Sequence, residues 1–187
     1  MEVVGTAIPE VKVITPKKFG DHRGFFSETY NRRDWIEAGI DLTFVQDNHS
    51  CSAAQGTLRG LHYQITPMAQ DKLVRVVRGA ILDVAVDLRR GSPTFGQHVS
   101  EVISAENWRQ LLVPICFAHG YVTLDPDTEV LYKTTDFYSV EHERGIIWSD
   151  PDLGIDWGIE EGQVILSEKD LALPSLKQAT DLFEYLG

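Results

Sequence analysis

Cysteine is scarce in this chain, basic charge is outnumbered, and no long apolar run occurs. Each shortage closes off a class of protein. Only Cys51 and Cys116 are present among 187 residues. Two thiols cannot build the disulfide framework of a small secreted scaffold, and their spacing matches no zinc motif, so a reducing cytoplasm is the expected setting. The 17 Lys and Arg face 28 Asp and Glu, for a formal net charge of −11. Such a chain is a poor general binder of nucleic acid or anionic membranes, although a local basic pocket for a small anion stays open. No run of about 18 apolar residues occurs, so no membrane span is expected. The opening MEVVGTAIPEVKV lacks the basic and apolar regions of a secretory leader, so none is expected there.

What is present is a set of short segments that alternate with period two. VKVITP, GFFSETY, FVQDNHS, LRGLHYQ, KLVRVVRG, AILDVAVDLR, HVSEVIS, RQLLVP, AHGYVTL, TEVLYKTTDFY and QVILSE all have the pattern of strands. Gly, Pro, Asp and Asn separate them at intervals near ten residues, which predicts an all-β sandwich or barrel. Helical signals are few. NRRDWIEAGI predicts one short helix closed by Gly39, and SLKQATDLFEYLG predicts a C-terminal helix begun by Pro174 and Ser175. No linker, repeat or low-complexity stretch interrupts the chain, so residues 1–187 are expected to form one domain.

LRGLHYQ places Arg59 and His62 in an otherwise strand-like stretch, where an unpaired buried charge would be expensive. Either the histidine is a satisfied core residue or it faces a cavity where something reacts. Alternation puts Lys72 with Val74 and Val76, Asp83 with Ile81 and Ala85, and Tyr132 with Val130. Several strands thus carry one polar group on an apolar face, the pattern of a barrel lined by a few functional groups. Singly, each has a bland reading as a paired or surface-tipped core residue. Together, His, Tyr, Lys and Asp are the set needed for proton transfer beside a carbonyl. A metal is disfavoured. Metal-binding barrels of the cupin type begin their ligand set with an H-x-H pair, and here that place reads His62-Tyr63-Gln64. Only His119 in PICFAH remains as a later imidazole.

The blocks DHRGFFSE, FVQDNHS, LRGLHYQ, KLVRVVRGAILDVAVDLRRGSPTFG, FAHGY, LYKTTDFY, GIIWSDPDLGIDW and LSEKD closely resemble the dTDP-4-dehydrorhamnose 3,5-epimerase family, from about residue 19 to about residue 172. The resemblance implies a cupin-like jelly-roll β-barrel with a few short helices. It implies a homodimer that exchanges N-terminal strands, no metal or organic cofactor, and a dTDP-linked 4-keto-6-deoxy sugar as substrate. By position it implies His62 as general base, Asp170 as the carboxylate that orients it, Tyr132 as general acid and Lys72 as the cation beside the 4-keto oxygen. Arg23, Arg59 and Lys169 fall where diphosphate or sugar contacts are expected. Gln46, Asn48, Glu28, His119 and Glu143 fall at further nucleotide and sugar contacts. Tyr138, with Phe26 as a second candidate, falls at the thymine stacking platform. Two positions depart from the family pattern. Cys116 replaces a Gly, which leaves open the shape of the loop before His119. Lys169 stands where Arg is common and offers a point charge rather than a fork.

The chemistry needs these residue types. Taking a proton from carbon beside a ketone leaves charge on the 4-oxygen, which Lys72 would stabilise as it develops. His62 can accept the proton near neutral pH, and Asp170 can fix its tautomer. Inversion needs a proton from the opposite face, which suits Tyr132. The leading expectation is a cofactor-independent 3,5-epimerase of dTDP-L-rhamnose synthesis. A mono-epimerase acting at C3 or C5 alone is the alternative. A metal cupin oxygenase or a non-catalytic nucleotide-sugar binder fits the residues less well.

Overall fold

The computed structural model describes residues 1–186. In chain order the strands are β1 (Glu2–Gly5), β2 (Lys12–Thr15), β3 (Phe19–Asp21), β4 (Gly24–Phe26), β5 (Gln46–Ser52), β6 (Leu58–Gln64), β7 (Lys72–Arg78), β8 (Ala80–Asp87), β9 (Arg89–Arg90), β10 (His98–Ser104), β11 (Gln110–Val113), β12 (Phe117–Thr123), β13 (Thr128–Thr134), β14 (Glu143–Gly145) and β15 (Phe183–Glu184). Helix α1 (Arg32–Glu37) follows β4, and α2 (Glu168–Leu171) follows β14. One sheet runs β1-β2-β11-β7-β13-β5 and the other β10-β8-β12-β6-β14, with every pair in both antiparallel. Packed face to face, they form the expected all-β jelly roll, whose two sheets are not joined into one closed ring of strands.

Period two explains how the sheets bury apolar side chains. Val74, Val76, Ile81, Ala85, Leu111, Phe117 and Val130 point between the sheets. The alternate residues of β8 and β12, among them Val84, Val86 and Val122, point outward and are covered by Ile146, Leu153, Trp157 and Leu176. On the outer face of the larger sheet, Ile14, Leu73 and Leu112 are covered by Trp35 and Ile40. Helix α1 starts where the Asn31 side chain accepts from the Arg33 N–H, and its end passes into Gly39 at φ 81.

Two segments depart from expectation. Among the described residues no helix forms after Ser175. The apolar residues Leu176, Ala179, Leu182 and Phe183 do recur at helix-like spacing, but they pack on the outer cluster of the smaller sheet. Asp150 Oδ2 takes the Leu176 N–H at 2.6 Å, and Phe183–Glu184 pairs in parallel with β9. Tertiary hydrogen bonds override the local pattern, and the short helix near the C-terminus is α2 instead. The last residue of the expected helix, Gly187, lies outside the described residues. QVILSE contributes only a single bridge, Thr57 to Ile165.

The irregularity that positions the site lies between β6 and β12. His62 is opposite His119 and Arg59 is opposite Tyr121, so three steps along β6 match two along β12. This is a one-residue bulge. Strict alternation would put Arg59 and His62 on opposite faces; the bulge turns both inward. It requires glycine twice. Gly60 has φ +126, and a Cβ there would lie 2.5 Å from the Gly120 Cα. A Cβ on Gly120 would lie 2.9 Å from the Arg59 carbonyl oxygen.

Cys116 adopts φ 72, the left-handed backbone that a Gly would take, so the loop before His119 keeps that shape without one. The expected consequence is that Cys116→Gly is about 1 kcal/mol more stable than Cys116→Ala, since both lose the thiol but only glycine relieves the backbone. Denaturant unfolding of the two variants checks this, and an equally stable alanine variant would contradict it.

Candidate active site

Between the sheets lies a cavity of about 430 Å³ whose lining includes Arg59, His62, Lys72, His119, Tyr121, Tyr132, Lys169 and Asp170. His62 reaches it from β6. Its Nε2 is 2.6 Å from Asp170 Oδ1. Asp170 is presented by α2, whose N-cap Ser167 accepts the Asp170 N–H and donates its hydroxyl to Asp170 Oδ2 at 2.8 Å. Both carboxylate oxygens are therefore engaged. Burial pushes the Asp170 carboxyl up, but the hydrogen bonds from His62 and Ser167 more than offset this and hold it below the usual range. With the carboxylate accepting, the proton of neutral His62 sits on Nε2 and Nδ1 is left as the basic atom.

A second pair stands beside the first. His119, directly opposite His62 in the β12–β6 register, has its Nε2 2.6 Å from Asp83 Oδ1. Asp83 is fully buried, and its Oδ2 has no partner among the described residues. Lys72, from β7 in the facing sheet, donates to the His62 carbonyl at 3.3 Å. Burial lowers its ammonium to about 8, a fall limited by the charges of Asp83 and Glu143. Tyr132 enters from β13 on that same sheet. Burial raises its phenol.

Next to the cavity-lining Lys169, Glu143 Oε2 accepts from the Tyr138 hydroxyl at 2.6 Å and pairs with Lys169 Nζ at 2.5 Å. Burial opposes the Glu143 charge, yet these two partners keep its carboxyl below the usual value. Gln46 donates to Asn48 Oδ1 at 2.9 Å and accepts the Tyr138 N–H at 3.1 Å, so both amides sit beside the exposed Tyr138 ring. Arg59 has one long hydrogen bond, 3.4 Å to Ser52 Oγ.

Gln46, Asn48, Tyr138 and Glu143 thus adjoin the cavity without lining it, and three further predicted residues lie elsewhere. Arg23 and Phe26 belong to the exposed β3–β4 hairpin and Glu28 follows it, and none lines the cavity of its own chain. Arg23 pairs with Asp21, and Glu28 accepts from the Asn31 amide at 3.0 Å. The hairpin is anchored by Phe25 packing edge-on against Trp108, with Lys18 Nζ 3.9 Å from the Trp108 ring centroid.

Sequence reasoning missed Ser167, Ser50 and Tyr121, and did not pair Asp83 with His119. Ser167 carried a usable signal, an N-cap serine three residues before the Asp it hydrogen-bonds. Gln64, where a metal cupin has its second histidine, is committed to a loop. It donates to the Met68 and Phe137 carbonyls and accepts the Ser139 N–H at 2.7 Å. Among the described residues, no three His, Cys, Asp or Glu side chains converge as a metal set would.

A cavity with a carboxylate-bound imidazole on one sheet, a phenol on the other and an ammonium beside them can take and return protons at an acidic C–H. That is the chemistry of an isomerase acting beside a carbonyl. Comparison with known proteins narrows the class. Residues 5–178 match the family model described as dTDP-4-dehydrorhamnose 3,5-epimerase. The dTDP-4-dehydrorhamnose 3,5-epimerase of Pseudomonas aeruginosa is 58% identical over 91% of this chain and 93% of its own. A crystal structure of dTDP-6-deoxy-D-glucose-3,5-epimerase from Legionella pneumophila, in complex with dTDP-4-keto-L-rhamnose, superposes with a TM-score of 0.95 at 46% identity, covering 100% of this chain and 99% of that one. A 3'-monoepimerase from Streptomyces bikiniensis in complex with dTDP-quinovose gives a TM-score of 0.85 at 34% identity, covering 92% and 87%. The chain belongs to the dTDP-4-dehydrorhamnose 3,5-epimerase family.

The buried ammonium of Lys72 has a stability consequence. Its value falls from 10.5 to about 8 in the folded chain, so at neutral pH the unfolded chain holds the proton more favourably. The cost is fully present below about pH 8 and fades as pH rises toward 10.5. Lys72→Met is therefore expected to be more stable than the parent at pH 7, by roughly 1–3 kcal/mol. The advantage should shrink across that alkaline window. Chemical denaturation at pH 7 and pH 10 checks this; a variant less stable at pH 7 would contradict it.

Proposed function

We propose that this protein is a cofactor-independent dTDP-4-dehydrorhamnose 3,5-epimerase that inverts C3 and C5 of a dTDP-4-keto-6-deoxy-hexose through an enolate. The observation that carries the reading is the placement of His62 with Asp170 on one wall of the cavity, Tyr132 on the other, and Lys72 beside them. In this reading His62 Nδ1 removes the proton. Asp170 stabilises the imidazolium that forms. The Lys72 ammonium meets the charge on the 4-oxygen, and Tyr132 returns a proton to the opposite face. Burial keeps the Tyr132 phenol in its protonated form, the form an acid must start from, while its upward shift makes the hydroxyl a weaker donor than a free phenol.

Arg59 and Lys169 would meet the diphosphate, and Arg59 is the better placed, since its guanidinium is little engaged within the chain. Gln46, Asn48, His119 and Glu143 would hold nucleotide and sugar, with Tyr138 stacking on the thymine. Arg23, Phe26 and Glu28 would serve the cavity of a second copy, as their distance from their own chain's cavity suggests. The whole chain is read as one such domain. The free thiols Cys51 and Cys116 suit a cytoplasmic setting.

Proton NMR of dTDP-4-keto-6-deoxyglucose with the protein in D₂O tests the mechanism. The wild type should place deuterium at both C3 and C5; label at one centre alone would mark a mono-epimerase. His62→Ala should lose both exchange and inversion, typically by roughly 10²–10⁴-fold or more. Tyr132→Phe should still exchange while inverting far less, because His62 can return deuterium to the face it came from. Inversion by Tyr132→Phe at the wild-type rate would remove Tyr132 from the acid role. Sedimentation at micromolar concentration should give a dimer; a fully active monomer would rule out the shared hairpin.

A further inference from the structure

We propose that the hydrogen bond between Ser50 and Tyr121 is a positioning device for the epimerisation, tying the two sheets across the cavity and fixing the separation of His62 from Tyr132. This rests on the reading of His62 as base and Tyr132 as acid. Ser50 Oγ and the Tyr121 hydroxyl are 2.8 Å apart, and both residues line the cavity. Ser50 lies on β5, an edge strand of the six-stranded sheet, and Tyr121 on β12, inside the five-stranded sheet.

The register puts this bond beside the reacting groups on both walls. Tyr132 is paired with Asn48, two residues before Ser50 on β5. His62 is paired with His119, two residues before Tyr121 on β12. Each end of the bond is thus one side-chain repeat, about 7 Å, from the strand partner of the base or of the acid.

Among the described residues, three side-chain hydrogen bonds join a strand of one sheet to a strand of the other. They are Ser50–Tyr121 at 2.8 Å, Lys72 to the His62 carbonyl at 3.3 Å, and Arg59–Ser52 at 3.4 Å. The first is the shortest. The other two use cations that the mechanism turns toward the substrate, so Ser50–Tyr121 is the tie that remains during reaction. Burial raises the Tyr121 phenol, which keeps it neutral. Its hydroxyl is already satisfied by Ser50, whereas no partner for the Tyr132 hydroxyl occurs among the described hydrogen bonds. That difference separates a spacer from an acid.

The test uses Tyr121→Phe, Ser50→Ala, their double variant and Ser50→Thr in the full chain, with Tyr132→Phe in parallel. The readout is the ratio of deuterated substrate of unchanged configuration to inverted product in D₂O, with dTDP affinity and Tm as controls. Each single loss should raise the ratio roughly tenfold, the scale of a sub-ångström misplacement, with dTDP affinity unchanged. The double variant should be no worse than either single, since both remove one bond, and Ser50→Thr should stay near wild type. An unchanged ratio in both single variants, a proportional fall of exchange and inversion, or an additive double variant would overturn the proposal. If Tyr132→Phe also leaves the ratio unchanged, the base–acid reading itself has failed. If only Tyr132→Phe raises it, the positioning proposal alone has failed.

Discussion

The close approach of Gly60 and Gly120 is the constraint on which the site depends. Two strands can carry a one-residue bulge at this separation only because neither residue has a Cβ. The bulge lets Arg59 and His62, an odd number of residues apart, face the same cavity. Without it, either the Arg59 guanidinium or the His62 imidazole would point into the outer apolar cluster with Leu61 and Tyr63. The arginine and histidine in LRGLHYQ are thus compatible with a strand because that strand is locally irregular.

Charge is arranged on the same economy. A chain of net charge −11 concentrates Arg59, Lys72 and Lys169 at one cavity. The carboxylates there are each committed: Asp170 to His62, Asp83 to His119, and Glu143 to Lys169 and Tyr138. The cations keep donors free, which is what an incoming dianion needs. The ammonium of Lys72 is held at a cost to folding, as active-site groups often are.

Much of the fold was legible because alternation reported a real inward face: β7 and β13 contribute Val74, Val76 and Val130 to the cluster between the sheets, and β8 contributes Ile81 and Ala85 to it and Val84 and Val86 to the outer cluster. The inward set of Ile81, Asp83 and Ala85 was readable for that reason. The C-terminal segment was misread because helix-like spacing of Leu176 and Ala179 reflects contact with a sheet, and the competing Asp150 hydrogen bond comes from 26 residues upstream. The placement of His62, Lys72, Tyr132 and Asp170 in one cavity was accessible through resemblance, since they come from four separate elements. The Ser50–Tyr121 bond was not legible, because it joins residues 71 apart that end two separate blocks, FVQDNHS and FAHGY, and nothing in either block pairs them.

The central claim is that His62 is a base at Nδ1 because Asp170 holds the proton on Nε2. Nitrogen NMR of protein labelled with ¹⁵N-histidine, with His62 assigned by substitution, reads the tautomer of the neutral ring directly. The account predicts the Nε2–H form with a bare Nδ1, and its loss to a tautomer mixture in Asp170→Ala. A neutral His62 protonated on Nδ1 in the wild type would contradict it.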